Sequence, residues 1–516
     1  MLKNTIFTTI LTLIVSILSF GNQIIITYFF GASIEYKNYL SVTAFPIFIA
    51  AIVSIGINYN GYPLFINIYN SSVKCLEDFT LCTIRKLIPY VVVVFLTYGL
   101  FAILNADLTE ETISKRNIDY LAIVVFNIVT SFLSILIAVI NVYFNAKRKF
   151  LTPLMFSTLP YLLTFVLVYF FKERGIFSIS LGLLIGTSLS FLFSFYLLYL
   201  NSSFSRIAGE ERILINGMIK SIPLTAVAMG CFSLHQTVDT FWSNSQGSTL
   251  VYLSLNQRII ISFGSLIIAG PFNVFIHYLA SLYKSGNNKL FYEGLLSLLK
   301  GLLLVLMISA SLFSVFSELM IKLFFERGEF TAQDVSNVSK LTPLYLIGMV
   351  FMLLTAINFR VLFIMDKIRE AVLISVITGF LYFALCGLFR FKLGIMGFGY
   401  AYIVSWLVSL IVGFFYIFSK KVLLNIEKRH VIEILVPFLF SVFIYFLLTY
   451  LNNEIYNWVL ISGYFQQLIY VILISLLVLF AYTGILMILK VPEVIYIFNK
   501  ASKKFGIILI NDLPSK

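Results

Sequence analysis

Long apolar runs, each closed by charge, glycine or proline, follow one another along almost the whole chain. Fourteen of them are long enough to span hydrocarbon as helices: 5–30, 39–69, 87–105, 119–145, 151–171, 176–200, 215–241, 249–282, 294–325, 333–364, 369–389, 394–419, 430–451 and 465–490. The second and tenth exceed what a bilayer needs, so they are expected to bend or to overrun it. The chain opens Met1-Leu2-Lys3-Asn4 and runs straight into the first apolar stretch with no small-residue cleavage site, which predicts a retained first helix. The pattern as a whole predicts an all-α polytopic membrane protein with 14 transmembrane helices.

Composition narrows the function classes. Of 516 residues, 60% are hydrophobic, 17% aromatic and only 11% charged. That balance excludes a soluble enzyme, a secreted disulfide scaffold and a single-anchor receptor. The net charge of +13 would otherwise suggest nucleic acid. Placing the N-terminus in the cytoplasm puts 24 of the 36 Lys and Arg on that side, including Lys147-Arg148-Lys149 and Lys420-Lys421, and 10 opposite, with Arg258 and Arg360 inside spans. The positive charge therefore reads as topology, with both termini cytoplasmic and no nucleic-acid partner. Past the last span, Val494, Ile497 and Phe498 with Lys500, Lys503 and Lys504 form either an amphipathic helix on the inner leaflet or a basic tail that fixes orientation.

An internal repeat organises the spans. An ungapped shift of 219 residues lays spans five and six on spans eleven and twelve: Phe144 meets Phe363, Leu154 meets Leu373, Leu162 meets Leu381, Gly175-Ile176 meets Gly394-Ile395, Ser190 meets Ser409 and Phe195 meets Phe414. The same shift lays Lys147 on Asp366. Leu and Phe matches are cheap in such a composition; the glycines, both in short turns between spans, carry more weight. Six spans separate the copies, so both halves share one orientation and a pseudo-two-fold axis along the membrane normal. The expected divisions are an N-terminal lobe (1–205), a C-terminal lobe (206–425) and a two-span appendage with the basic tail (426–516). Two like lobes around a central cavity make transport the default expectation.

Catalytic chemistry is not visible. No GxxxxGK[ST] phosphate loop occurs, loops run to about 15 residues at most, and His235, His277 and His430 lack metal-ligand spacing. Cys75, Cys82, Cys231 and Cys386 fit neither a redox pair nor a zinc site. The reading is a non-enzymatic protein with no cofactor, driven by an ion gradient (Na+ or H+), by membrane potential or by downstream consumption of cargo.

The segment LFFERGEFTAQD (323–334), lying between two spans, resembles the signature loop of the MurJ/MviN family of lipid flippases. VDTFWSNSQGSTLVYLSLNQRIIISFGSLIIAGP (238–271) is similar to that family's seventh and eighth spans. ITYFFGAS (26–33), with Pro46 and Gly56, is similar to its first two. The resemblance implies transbilayer movement of an undecaprenyl-diphosphate-linked glycan by alternating access, in a bacterial cytoplasmic membrane, with partners among envelope-synthesis proteins. It also implies cavity arginines that hold the diphosphate. Arg258 stands at one such position. Where the family carries an Arg-Asp pair and a further Arg, this chain has Asn22, Gln23 and Tyr28, and Ile47 to Ala50 replace a basic stretch. Asp239 matches a seventh-span Asp that helps bind sodium in some members, while its eleventh-span partners here are Tyr382 and Cys386.

Each candidate has a bland reading beside its functional one. Arg258, about ten residues into an apolar span, either forks onto cargo phosphate or pairs with Asp239. Arg360 either snorkels to headgroups or faces the cavity. Asp239 and His235, four residues apart and so on one helix face, form a proton or cation coupling site or a packing pair. Asn22 and Gln23 bind sugar hydroxyls or bond between helices. Glu326 and Arg327 gate the outer face or form a solvated turn with Gly328, and Glu35 and Lys37 share that ambiguity. The leading function is a lipid-linked glycan flippase. The alternatives are an ion-coupled antiporter for amphipathic small molecules and a non-transporting scaffold of envelope synthesis.

Overall fold

The computed structural model describes residues 2–70, 76–106, 116–202, 209–243, 246–268, 271–418, 438–450 and 464–488. The described residues are helical apart from short turns. In chain order the helices are α1 (Leu2–Phe30), α2 (Ile34–Asn70), α3 (Leu76–Ala106), α4 (Arg116–Ala146), α5 (Leu151–Phe170), α6 (Phe177–Tyr199) and α7 (Gly209–Ser243). Then follow α8 (Thr249–Ile268), α9 (Pro271–Lys284), α10 (Asn288–Val315), α11 (Ser317–Phe325), α12 (Ala332–Ile364), α13 (Ile368–Leu393) and α14 (Met396–Ile417). Two more close the chain, α15 (Phe438–Tyr450) and α16 (Tyr464–Ile488).

Twelve of these are long and apolar enough to cross a membrane, against the 14 expected. The two not matched are the eighth and the thirteenth, and the ninth is kept but shortened by a break. The eighth expected span is divided into α8 and α9. Pro271 opens α9, where its missing N–H costs nothing. The ninth is broken at Phe316, which leaves helical geometry (φ −92°, ψ 10°), while the Ser317 hydroxyl donates to the Ser314 carbonyl at 2.9 Å. Of the thirteenth, the described part is the short α15. Lys420, Lys421, His430 and the proposed amphipathic tail lie outside the described residues.

Packing follows the small residues. Gly182 and Gly186, four apart on α6, face the α5 backbone so closely that a Cβ would lie 2.5 Å from Thr164 and 2.4 Å from Pro160. Their counterparts at the 219 shift, Ala401 and Ser405 on α14, are also small and fully buried. One large apolar core draws on α2, α3, α4, α6 and the first half of α7, from Ala50 to Ile222. A second runs from Ala228 to Phe418. α15 and α16 pack through Ile444, Val478 and Tyr482 on the α10–α11 side, where the Tyr482 hydroxyl donates to the Leu304 carbonyl at 3.0 Å.

The repeat is written in the turns. Gly175 (φ 61°) and Gly394 (φ 56°) take the same left-handed conformation between paired helices. Arg148 (φ 60°) and Asp366 (φ 55°) do so before α5 and α13, each inside the same helix-ending loop: Lys149 N–H to Phe144 O, and Lys367 N–H to Leu362 O. The backbone register at this turn is therefore 218, which pairs Phe144 with Leu362 and Arg148 with Asp366. The ungapped shift that paired Phe144 with Phe363 and Lys147 with Asp366 is one residue out here, and one added residue before Gly394 restores 219.

Candidate functional site

Three consecutive residues of α8 point to three different neighbours, because a helix turns its side chains about 100° per residue. Asn256 is buried, accepts from the Thr342 hydroxyl (2.8 Å) and donates to Val338 O on α12. Gln257 donates to Asp239 Oδ2 on α7 at 2.6 Å. Arg258 faces the seam with α1, where it lines a cavity of about 80 Å3 with Ser19, Phe20, Gln23, Ile259, Ile261 and Ser262. Among the described residues the half-buried guanidinium makes no ion pair or hydrogen bond, although the Tyr39 hydroxyl lies within its electrostatic reach. The alternative in which Arg258 pairs with Asp239 is not what forms, since both carboxylate oxygens are taken by Gln257 and Tyr382.

Gln23 is brought to the same cavity. Its amide donates to the Tyr36 hydroxyl (3.2 Å), while its Oε1, like Asn22 Oδ1, is buried without a protein partner. One guanidinium, one amide and two serine hydroxyl groups thus meet between the halves. Arg360 does not line this cavity; it sits near the far end of α12, half-buried.

The seam is closed at both ends. At one end the ERGEFT loop lies on the α1–α2 turn. The Glu329 N–H donates to Tyr28 O at 3.0 Å, and a Cβ on Gly328 would lie 2.1 Å from Tyr28 O. A Cβ on Gly31 would lie 2.3 Å from Glu329 O. Both glycines have left-handed φ (60° and 53°), so the contact needs glycine twice over. The Ser248 hydroxyl donates to Ala32 O beside it. At this end the ERGEFT loop thus meets the α1–α2 turn through backbone, with the Ser248 hydroxyl beside it. Glu326 lies 3.9 Å from Lys322 one turn away, and Arg327 donates to Leu323 O at 2.8 Å. Thr331 and Asp334 then start α12 with reciprocal capping bonds, and Tyr252 donates to Asp334 at 2.6 Å.

At the other end Asn60 of α2 donates to Thr225 of α7 (2.7 Å), Lys86 of α3 donates to Asn216 of α7 (2.8 Å), and Tyr59 stacks on Phe363 of α12 (4.8 Å). Glu77 there accepts from Tyr143 (3.0 Å) and pairs with Lys147. Burial pulls the Lys147 ammonium down, but the Glu77 and Tyr143 partners outweigh it and hold it above the ordinary 10.5.

His235 and Asp239 share one face of α7, as their spacing implies, and converge on Tyr382 of α13. The Tyr382 hydroxyl donates to Asp239 Oδ1 at 2.6 Å, and its ring lies 4.4 Å from the imidazole. His235 also stacks on Trp406 (5.2 Å) and meets Tyr402 edge-on (4.9 Å). Tyr382, which in sequence reads only as the replacement of a family polar residue, is the element that ties the pair together. Among the described residues no group of three His, Cys, Asp or Glu could hold a metal ion.

Two residues were missed in sequence. Gln257 sits in the quoted Asn-Gln-Arg stretch yet only the cation was singled out. Lys300, counted with the cytoplasmic charges, lies twelve residues into α10 and is 5% exposed; its setting in GLLSLLKGLLLVL was the available signal.

Comparison with known proteins places this architecture. The family model described as "Lipid II flippase MurJ" matches residues 26–470. A relative named "Probable lipid II flippase MurJ" from Buchnera aphidicola subsp. Schizaphis graminum is 25% identical over 400 residues, 74% of this chain and 76% of the relative. Among solved structures, a lipid II flippase MurJ in an inward closed conformation superposes with TM-score 0.67 at 19% identity, over 89% of this chain and all of that one. An inward-facing multidrug resistance MATE transporter gives TM-score 0.60 at 11% identity, over 81% of this chain and all of that one. Motifs, helix order and the extent of the match agree, and the chain belongs to the lipid II flippase MurJ family.

Proposed function

We propose that this chain moves a polyprenyl-diphosphate-linked glycan, lipid II or a related precursor, between the leaflets of a bacterial cytoplasmic membrane without making or breaking a bond. The observation that carries the reading is Arg258. It is a guanidinium within an apolar span, offered to a cavity between the halves, and among the described residues no anion holds it. A guanidinium so placed is costly unless an anion arrives, and its planar fork suits diphosphate oxygens. Gln23 and Asn22 supply buried acceptor oxygens for sugar hydroxyls. At about 80 Å3 the cavity is well below the roughly 300 Å3 of even a modest ligand site. Cargo therefore enters only after the halves separate, with its lipid tail outside, along α15 and α16.

In this reading residues 1–205 and 206–425 rock against each other, and 426–516 is the appendage. The basic end at Lys147 faces the cytoplasm, as do both termini, and the Gly31–Gly328 contact closes the outer side. Asp239 and His235 couple the motion to protons, since Tyr382 and Cys386 offer a poor shell for sodium. Conditional depletion in cells, followed by identification of the lipid-linked glycan that accumulates at the inner leaflet, tests the proposal. Accumulation of a polyprenyl-diphosphate glycan supports it, and an unchanged lipid-linked pool contradicts it. The thinned set of cavity cations favours the second reading, an exporter of amphipathic small molecules. Resistance to cationic dyes that falls on depletion, with glycan lipids unchanged, would select it.

A further inference from the structure

One pair of equivalent polar residues is satisfied differently in the two halves. Ser190 on α6 and Ser409 on α14 occupy the same place in the repeat, and both are buried. The Ser190 hydroxyl donates to Phe156 O (2.7 Å) and Gly186 O (2.8 Å). The Ser409 hydroxyl has no protein partner, and it is not alone. His235 Nε2, Thr355 Oγ1 and Asn358 Oδ1 are also buried in the C-terminal half without a protein hydrogen bond. Buried polar atoms are rarely left unpaired, and four of them among α7, α12 and α14 form a pattern.

The four are linked through the rings between them. His235 stacks on Trp406 and meets Tyr402, whose ring lies 4.9 Å from Tyr345. Trp406 and Ser409 are one turn apart on α14, as Thr355 and Asn358 are on α12. The two pairs meet where the Asn358 amide donates to Leu410 O (3.3 Å) and a Cβ on Gly413 would lie 2.7 Å from Asn358 Nδ2. Asn358 is seven residues, about 10 Å, from the turn at Met365, at the same end as Lys147. The other extremity of the file is Asp239, bonded to Tyr382 and Gln257. Around Asp239 the titratable neighbours are His235 from α7, Tyr345 from α12, Tyr382 and Cys386 from α13, and Tyr402 from α14.

We infer that the core of the C-terminal half holds a file of ordered waters from Asp239 to the basic end, and that this file carries protons between the Asp239 carboxyl and the cytoplasm. This rests on the proton-coupling reading above. Each unpaired atom accepts or donates one bond to water, which is how buried polar groups that proteins cannot pair are ordinarily satisfied. A proton leaving the Asp239 carboxyl passes to the nearest water, each water hands on one proton, and the last releases one at the Met365 turn. No other bond changes.

Two measurements test it on the full-length protein. In a cysteine-free background, Ser409→Cys and Ser190→Cys are compared for reaction with a small charged methanethiosulfonate, which needs a water-accessible thiolate. A rate at least tenfold higher at 409 is expected; equal rates would overturn the file. In proteoliposomes, transport of a fluorescent polyprenyl-diphosphate glycan is followed with and without a proton gradient. Wild type is expected to accelerate about fivefold with the gradient, and Ser409→Ala and Asn358→Leu to lose that acceleration while keeping the basal rate. If Asp239→Asn loses it but these two keep it, the coupling reading stands and the water file falls. If wild type shows none, the coupling reading itself fails and takes the file with it.

Discussion

Arg258 and Asp239 lie nineteen residues apart in the chain, and a single helix step separates their settings, because Gln257 holds the carboxylate while its neighbour Arg258 faces the cavity. Arg258→Ala should lower transport at least tenfold with membrane expression unchanged. Arg258→Lys, which keeps charge but loses the fork, should retain only part of the activity. Tyr382→Phe removes one of two hydrogen bonds to a buried carboxylate and should cost about 1–3 kcal/mol of stability, read as a lower melting temperature in detergent. Lys147→Met leaves Glu77 with the Tyr143 hydroxyl but no cation and should cost a similar amount, about 1–3 kcal/mol. The sign of its pH dependence follows from the raised Lys147. Its contribution is complete below the ordinary 10.5 and is lost only as pH climbs through the higher folded value, so the penalty should be the same at about pH 6 and about pH 9.

At the level of elements, the apolar pattern located nearly every helix because a span must satisfy its own backbone and cover itself with apolar side chains. What it could not see were the breaks. Phe316 interrupts a mostly apolar run, and Ser314, Ser317 and Glu318 around it are the only local hints. The site was half legible for a related reason. A cation in an apolar segment announces itself, as Arg258 did, and Lys300 did so equally but was credited to topology. Contacts between distant elements leave no such trace. Gly31 and Gly328 both stand in quoted motifs, yet their meeting depends on two backbones nearly 300 residues apart approaching within a Cβ radius. Gly328→Ala therefore should separate the ERGEFT loop from α1. The expected result is faster labelling of a cysteine at Ala32 from the outer side, at least fivefold over the parent; no change would show that the contact is not a closure.

For the whole molecule, duplication explains both the likeness and the division of labour between the halves. The turns at Gly175 and Gly394, and at Arg148 and Asp366, keep the ancestral backbone. The interiors have diverged: the C-terminal half carries His235, Asp239 and the unpaired polar file, while the first helix contributes Gln23 to the seam. With contacts at both ends, the described state is a closed one, and transport requires the Gly31–Gly328 contact to open. The most direct measurement of this account is translocation of a polyprenyl-diphosphate glycan by purified protein in vesicles, with Tyr28→Cys and Glu329→Cys joined as a reversible disulfide across the Glu329–Tyr28 backbone contact. The account predicts that oxidation stops translocation and that reduction restores it, whereas Arg258→Ala is inactive in either state. Undiminished translocation by the oxidised protein would contradict it.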